Sequence, residues 1–305
     1  MKNKILLVGL SIFTMLFFAG CTGNINSEQK AENISLKVGL MPAVDAAPML
    51  IAERQGYFKE LGLDVELIVF NNAQDRQSAL QTDSIDGAMT DLIAVATNVN
   101  GGFDIKATTI TSGMFPVLIK KDYEEKKDIK VAMMEVSVTN FLIDQWLSHE
   151  YNIEKVFINE IPARLEMIKN GNVDMGLFPE PMASMGALDG LEKRIYAPKD
   201  GYCPDVLAFT AKALSEKAEA IELFHKAYDK AVEDINKDET IAREILIEKL
   251  ALKPEIKDSM ILPEYTETSL PDTDYLRNII SWVEDVLKKD MQIQPEELVE
   301  RKFVE

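Results

Sequence analysis

Two stretches of this chain repeat one pattern, and the repeat constrains the fold more than any other feature of the sequence. The first stretch is FNNAQDRQSALQTDSIDGAMTD, residues 70–91, and the second is INEIPARLEMIKNGNVDMGLFP, residues 158–179. They align without a gap, so that Arg76 aligns with Arg164 and Asp86 with Asp174. A gapless repeat of this length predicts two halves that share one architecture.

Short apolar runs alternate with helical patterns in both halves. The predicted strands are residues 36–41, 63–70 and 85–90 in the first half, and residues 129–134, 155–161 and 173–178 in the second. A helix is predicted over residues 49–55. Pro48 stands directly before it, where a first helical residue would be, and Gly56 directly after it is a typical C-terminal cap. Alternating strands and helices are typical of parallel sheets. We therefore predict an α/β fold with two Rossmann-like lobes.

Two extended segments are expected to connect the lobes. Residues 107–121 lead into the second lobe, and residues 203–211 return from it. The predicted first lobe comprises residues 35–118 and 206–305, and the second comprises residues 119–205. The helical patterns after Leu214 follow the return, so we expect the C-terminal helices to pack on the first lobe.

The N-terminus has the pattern of an export signal. Lys2 and Lys4 precede an apolar run, residues 5–18, that is too short for a comfortable membrane span. Small residues then lead directly to Cys21, although Phe18 stands where Leu is usual. The arrangement resembles the lipobox of bacterial lipoproteins, in which the cysteine takes a diacylglyceryl group.

This resemblance implies a lipid-anchored protein. Residues 1–20 would be the lipoprotein signal peptide, residues 21–34 a lipidated tether, and Cys21 the residue that carries acyl chains such as palmitate. The expected location is the cell membrane, on its extracytoplasmic face. An ordinary secretory signal with a chance cysteine is the alternative.

The amino-acid composition limits the binding partners and the cross-links that are expected for this chain. The formal net charge is −18, which argues against nucleic acid or an anionic membrane surface as a partner. Cys203 is the only cysteine besides Cys21, so no intramolecular disulfide between free thiols is expected after lipidation. Stability must come from a hydrophobic core, which a chain of this length can build.

The run Ala-Glu-x-x-Gly-Tyr-Phe-x-x-x-Gly-Leu-x-Val, residues 52–65, resembles the solute-binding proteins of ABC importers. The resemblance covers roughly residues 36–290, including Glu180, Pro181 and the C-terminal helix that bears Trp282. The most similar branch binds alkanesulfonates, nitrate, taurine and thiamine pyrimidine precursors. The resemblance implies a type II periplasmic-binding-protein fold, in which two lobes on a two-strand hinge close over a ligand. It also implies a monomer whose partner is an ABC permease with its ATPase subunits.

The ligand site can be placed from the predicted topology. In open α/β sheets, ligands bind beyond the carboxyl ends of the strands. Four loops at these ends, together with the hinge segments, would line one cleft. The predicted ligand-binding residues are Pro42, Ala43, Asp45, Ala46, Thr90, Asp91, Met114, Phe115, Glu135, Ser137, Val138, Thr139, Phe178, Glu180 and Tyr202.

The charges of these loops favour one class of solute. Four of the predicted residues are carboxylates, whereas no Arg or Lys lies in the four loops. Such a site would repel an anion. It favours a heterocyclic vitamin precursor, such as a thiamine-related pyrimidine, or an amine. An aliphatic sulfonate, taurine or nitrate is the alternative.

We predict structural roles for the repeated charged residues. Arg76 and Arg164 are expected at the end of each sheet away from the cleft, in structural ion pairs. Asp86 and Asp174 begin strands, so turn or capping chemistry is expected rather than a catalytic pair.

Catalysis is not expected. The chain has two histidines, His149 and His225, both in charged helical segments, and no Ser/His/Asp arrangement, P-loop or Gly-rich cofactor loop. We predict no catalytic residue, no cofactor and no metal site. The alternative of another class is a pyrimidine-synthase-like enzyme, as some relatives in this superfamily are.

Overall fold

The computed structural model describes residues 34–196 and 203–304. Cys21, Tyr202 and the predicted signal peptide lie outside the described residues, as does nearly all of the predicted tether. The strands of the described part are β1 (Ile34–Leu40), β2 (Leu63–Val69), β3 (Gly87–Asp91), β4 (Ile105–Ile110), β5 (Val117–Ile119), β6 (Asp128–Met133), β7 (Asn152–Phe157), β8 (Met175–Leu177), β9 (Glu192–Arg194) and β10 (Asp205–Thr210). Its helices are α1 (Ala47–Gln55), α2 (Tyr57–Glu60), α3 (Ala73–Gln81), α4 (Leu92–Asn100), α5 (Val138–Leu147), α6 (Ile161–Lys169), α7 (Met182–Leu188), α8 (Ala211–Glu216), α9 (Ala218–Lys237), α10 (Thr240–Lys249) and α11 (Thr273–Leu287).

The strands form two five-stranded sheets of the same design. The order is β2-β1-β3-β10-β4 in the first sheet and β7-β6-β8-β5-β9 in the second. In each sheet, three neighbouring strands are parallel, as predicted. The strand that enters from the other half, β10 or β5, runs antiparallel to both of its neighbours. The sheets are therefore mixed rather than parallel, because these strands enter without the helical crossover that a parallel connection requires.

The predicted α/β class with two related halves is confirmed, and most predicted elements have their expected type. Helix α1 has Pro48 in its first turn, and Gly56 follows it in the left-handed conformation with φ of 81°. Strand β7 ends at Phe157, earlier than predicted, because the apolar residues after it lead into α6 instead. Helix α4 was not predicted from the sequence; the side chain of Asp91 caps its N-terminus.

The repeat includes a pair of reciprocal hydrogen bonds between neighbouring strands. The Oδ2 atom of Asp86 accepts from the Lys37 amide at 2.8 Å, while the Asp86 amide donates to the Lys37 carbonyl at 2.8 Å. Asp174 and Lys130 repeat both bonds in the second half, at 2.8 Å and 2.9 Å. Turn or capping chemistry was predicted for Asp86 and Asp174; each carboxylate instead bonds to the backbone of the neighbouring strand.

The chain passes between the sheets along residues 111–116 and again after β9. Strand β5 pairs only with strands of the second sheet, and β10 pairs only with strands of the first. The predicted lobe boundaries fall inside these two strands. The exact division into lobes stays a prediction.

The C-terminal helices pack mainly on elements of the first sheet. Helices α9 and α10 contact α1, and α11 contacts α4. Helix α11 also reaches α5, which follows β6 of the second sheet: the Trp282 Nε1 donates to Asp144 Oδ2 at 2.9 Å, and its ring lies 5.5 Å from that of Phe141. Within the described ranges, no helix is both long and apolar enough to span a membrane.

The two tryptophans allow the α5–α11 hydrogen bond to be isolated. The indole N–H of Trp146 is buried without a partner, whereas that of Trp282 is bonded to a carboxylate. Both Trp→Phe substitutions remove a similar volume. We expect Trp282→Phe to lower the free energy of unfolding by about 1–2 kcal/mol more than Trp146→Phe, because only the former breaks a hydrogen bond. Urea denaturation followed by circular dichroism measures the difference; equal losses would contradict the assignment.

Candidate functional site

A cavity of about 470 Å³ lies between the two sheets. One wall is formed by residues that follow β1, by the end of β3, by the first turns of α3 and α4, and by the start of β10. The other wall is formed by the loop before α5 and by the start of α6. Both walls thus lie at the carboxyl ends of parallel strands, where the topology predicts ligand binding.

Most of the predicted site residues surround this cavity. Nine line it: Ala43, Asp45, Thr90, Asp91, Phe115, Glu135, Ser137, Val138 and Thr139. Five are not among its lining residues: Pro42, Ala46, Met114, Phe178 and Glu180. Tyr202 lies outside the described residues. Whether the lining residues bind a ligand stays a prediction.

Glu180 and Phe178 have structural surroundings. Glu180 is fully buried, and its Oε1 lies 2.7 Å from the Nζ of Lys193. The Ser184 amide and hydroxyl each donate to the Glu180 carboxylate at 3.0 Å. Phe178 is also fully buried, in a cluster with Ile168 and other residues of the second half. Neither side chain is among the lining residues of the cavity, because other residues of the second half already bind Glu180 and cover Phe178.

The placement predicted for the two repeated arginines is wrong. Arg76 and Arg164 are 5% and 1% exposed, and both line the cavity. Each belongs to the first turn of a helix that starts beyond the carboxyl end of a strand, which is the cleft end of the sheet. Neither forms an ion pair with a described carboxylate.

Hydrogen bonds to uncharged oxygens hold both guanidinium groups. The Arg76 Nη2 donates to the Thr90 hydroxyl at 3.0 Å, and the Arg164 Nη1 donates to the Leu177 carbonyl at 3.0 Å. The Nε atom of each arginine is buried without a partner. Burial lowers the pKa of Arg76 and lowers that of Arg164 to about 10. A guanidinium stays protonated in proteins, so the cavity contains two cations that the loop sequences did not indicate.

Three buried carboxylates lie on the wall formed by the first sheet. Asp45 accepts from the Thr111 hydroxyl at 2.9 Å, and its Oδ1 has no partner. Burial raises its pKa to about 7, against the opposing effects of the Thr111 hydrogen bond and the Arg76 charge. Asp205 lies next to it: burial, followed by the charges of Asp45 and Asp91, raises its pKa well above the usual range. Burial therefore favours the protonated form of each of these carboxylates.

Asp91 caps the helix that follows β3. Its Oδ1 accepts from the Ala94 amide at 2.8 Å, at the start of α4. Burial raises its pKa, while the Ala94 amide, the charge of Arg76 and the Val138 amide oppose that rise. Because Val138 begins α5 on the opposite wall, a group of that wall acts on this carboxylate across the cleft.

Gly113 makes room for the carboxylate of Asp205. A Cβ atom at position 113 would lie 1.9 Å from the Asp205 Oδ2 and 2.7 Å from the ring of Phe115. Any side chain here would displace two residues that line the cavity. This glycine, noted as part of the hinge in the sequence, is required by close approach rather than by an unusual φ.

The wall formed by the second sheet presents hydroxyl groups and one cation. The Ser137 and Thr139 hydroxyls lie 2.7 Å apart, and the Ser137 hydroxyl also accepts from the Thr139 amide at 3.2 Å. Glu135, the one acidic residue among the described lining residues of this wall, is exposed. The two walls therefore differ in charge.

Several lining residues were missed by the sequence analysis. Asp205 is the first residue of β10, and only the passage between sheets brings it to the cleft. Gln77 and Asn98 line the cavity and bond to each other, at 2.8 Å and 3.1 Å. The arginines did carry a signal, since the first turn of a helix after a parallel strand belongs to the ligand-facing end.

A metal centre finds no support in the described part of the chain. No group of three or more His, Cys, Asp or Glu side chains there could hold a metal ion. Burial, followed by the charge of Asp205, raises the pKa of the Cys203 thiol well above its usual value, which disfavours the thiolate that metals bind.

The two sheets and the cleft between them have the fold of the periplasmic binding proteins. The ligand-binding component of an ABC-type import system from Staphylococcus aureus, solved with zinc bound, has a TM-score of 0.76 at 16% identity, covering 88% of this chain and 97% of that one. The periplasmic aliphatic sulphonate binding protein SsuA from Escherichia coli has a TM-score of 0.70 at 15% identity, covering 88% and 92%. The periplasmic nitrate-binding protein NrtA from Synechocystis PCC 6803 has a TM-score of 0.63 at 14% identity, covering 73% and 69%.

At these identities, the likeness establishes the fold. The sequence itself matches the model of the NMT1-like family over residues 29–243, and the chain belongs to that family. A search of curated protein sequences found no match.

The raised pKa of Asp45 predicts a specific dependence of stability on pH. Its pKa is about 7 in the folded chain, against an ordinary value of 3.8. The folded state therefore binds the proton more tightly, so the free energy of unfolding falls as the pH rises from about 4 to about 7. We expect Asp45→Asn to be more stable than the parent at about pH 8, by up to about 4 kcal/mol, and similar to it at about pH 4.

Urea denaturation across this pH range measures the effect. Asp64→Asn, which removes an exposed carboxylate from β2, is the matched control and should follow the parent. A stability difference between Asp45→Asn and the parent that does not change with pH would contradict the assignment.

Proposed function

We propose that this chain is the solute-binding protein of an ABC importer, which captures a small molecule between its two halves and delivers it to a membrane permease. The observation that carries the proposal is the cavity of about 470 Å³, lined from both sheets and containing buried polar atoms without partners. This volume is in the range of small-molecule sites. The names of the similar structures, which include ABC import, sulphonate-binding and nitrate-binding proteins, support the same function.

The proposed mechanism is capture by closure. A contact that needs both halves, the hydrogen bond from the Val44 amide to the Glu180 carbonyl at 3.0 Å, fits a closed arrangement. A solute that touches both walls stabilises this arrangement over an open one. The closed protein then engages the permease, whose ATPase subunits drive release.

The proposal includes attachment to the outer face of the cell membrane through a lipid on Cys21. Its support is the lipobox-like sequence before that residue. Lipidation keeps the binding protein close to its permease, and several acyl chains on one residue suffice for stable anchoring. We propose that the protein acts as a monomer and without a cofactor, so that it releases its solute unchanged.

The proposed solute is an amine or a heterocycle with amino groups, such as a thiamine-related pyrimidine. Its support is the group of buried carboxylates, which accept hydrogen bonds, and the ring of Phe115, which lines the cavity and can stack on a heterocycle. The second candidate is an aliphatic sulfonate, taurine or nitrate. Arg76 and Arg164 favour it, because guanidinium groups bind such anions well.

A thermal-shift panel with the purified full-length protein tests this proposal. A solute at one hundred times its dissociation constant should add about 2.7 kcal/mol to the free energy of unfolding. The panel contains aminopyrimidines, amines, sulfonates, taurine and nitrate. Stabilisation by at least one compound, recovered unchanged after incubation, is the expected result.

Two results would overturn the proposal. Chemical conversion of a bound compound by the protein alone would favour the pyrimidine-synthase-like enzyme instead. Absence of any shift across a panel extended to general metabolite collections would remove solute capture itself.

A further inference from the structure

We propose that the cleft is built for a dipolar solute, one whose amine-type nitrogen faces Asp45 and whose acidic group faces Arg164. The inference rests on the proposed capture of solutes and specifies their chemical class. It derives from unpartnered buried atoms on opposite walls of the same cavity.

The first of these atoms is the Oδ1 of Asp45. The side chain is 3% exposed, lines the cavity, and has only its Oδ2 bonded, to Thr111. A buried carboxylate oxygen without a donor is costly, so a donor supplied by a solute restores what water provides in the unfolded chain. The positive charge of Arg76 offsets the negative charge of this wall only in part, because Arg76 interacts with Asp91 and Asp205 as well as with Asp45. The wall therefore favours a solute group that donates hydrogen bonds or carries positive charge.

The second atom is the Nε of Arg164 on the opposite wall. This side chain also lines the cavity, and its Nη1 is bonded to the uncharged carbonyl of Leu177. Its Cζ lies 5.2 Å from the centre of the Phe178 ring, which keeps the guanidinium in place without neutralising it. A buried cation with no carboxylate partner favours an acidic group on the solute.

The amides at the start of α5 bond to the protein itself. The Thr139 amide bonds to the Ser137 hydroxyl, and the Asn140 amide bonds to the Ser137 carbonyl. The helix N-terminus is therefore occupied by the protein's own groups. Arg164 is the cation that an acidic solute group can reach on this wall of the described structure.

Solutes with a single charged end fit this cavity less well. An acid without an amine would leave the Asp45 oxygen unpartnered and would meet the carboxylates of the first wall. An amine without an acid would leave Arg164 uncompensated. A solute with both groups satisfies both walls, and it can do so only when the walls close together.

Matched sets of three compounds test this inference by calorimetric titration of the purified full-length protein. One set is taurine, ethanesulfonate and ethylamine. The other is an aminopyrimidine with a phosphomethyl group, its hydroxymethyl form, and its form without the amine. We expect the dipolar member of at least one set to bind about tenfold or more tightly than both partial members.

Substitutions assign each end of the solute to its wall. Asp45→Asn should weaken the dipolar and amine-only compounds without weakening the acid-only compound. Arg164→Gln and the milder Arg164→Lys should weaken the dipolar and acid-only compounds without weakening the amine-only compound. Exposed residues supply the matched controls Asp64→Asn and Arg277→Gln, which should change no affinity.

The outcomes separate this inference from the proposed function. An acid-only or amine-only compound that binds as tightly as its dipolar parent overturns the inference, as do variants that weaken all three compounds equally. Binding only by compounds outside the dipolar class overturns it and leaves solute capture intact. Absence of binding by every compound in both panels overturns both.

Discussion

The main constraint on this structure is the burial of charged side chains between two sheets, which face each other at the carboxyl ends of their parallel strands. Arg76 and Arg164 are almost fully buried there, together with Asp45, Asp91 and Asp205. Burial disfavours every one of these charges, and the opposite charges nearby compensate only part of that cost. A protein that needed only stability would fill this space with apolar side chains. The retained, incompletely paired charges therefore support the proposal that the cleft is the functional part of the molecule.

The architecture could be predicted from the sequence because its signals are local. The strand runs, Pro48, Gly56 and the gapless repeat each depend on nearby residues, and the structure confirms the α/β class with two related halves. The loops that were predicted at the carboxyl ends of the strands also contribute residues to the lining of the cavity. Sheet topology alone brings Asp45 and Ser137 to the same cleft, although they are distant in the sequence.

The charge of the site could not be predicted, since it depends on side-chain partners that the pattern of strands and helices does not specify. Glu180 lies in a ligand-facing loop, yet Lys193 neutralises it and Ser184 bonds to it. Asp205 enters the site only because β10 returns between β3 and β4. The error with Arg76 and Arg164 was of another kind. Their position followed from the predicted topology, but the helices were placed at the wrong end of the sheets. With these helices at the correct end of the sheets, both arginines line the cleft, which reverses the conclusion that the cleft lacks cations.

The contact between α5 and α11 has a consequence for observing the protein in solution. Both tryptophans of the chain belong to these helices, and the Trp282 indole touches Phe141 and Asp144 from the other half. Any rotation of the second sheet relative to the first must change the surroundings of that indole. The natural fluorescence of the unlabelled chain would thus report the proposed opening and closing in real time, with no dye or engineered probe.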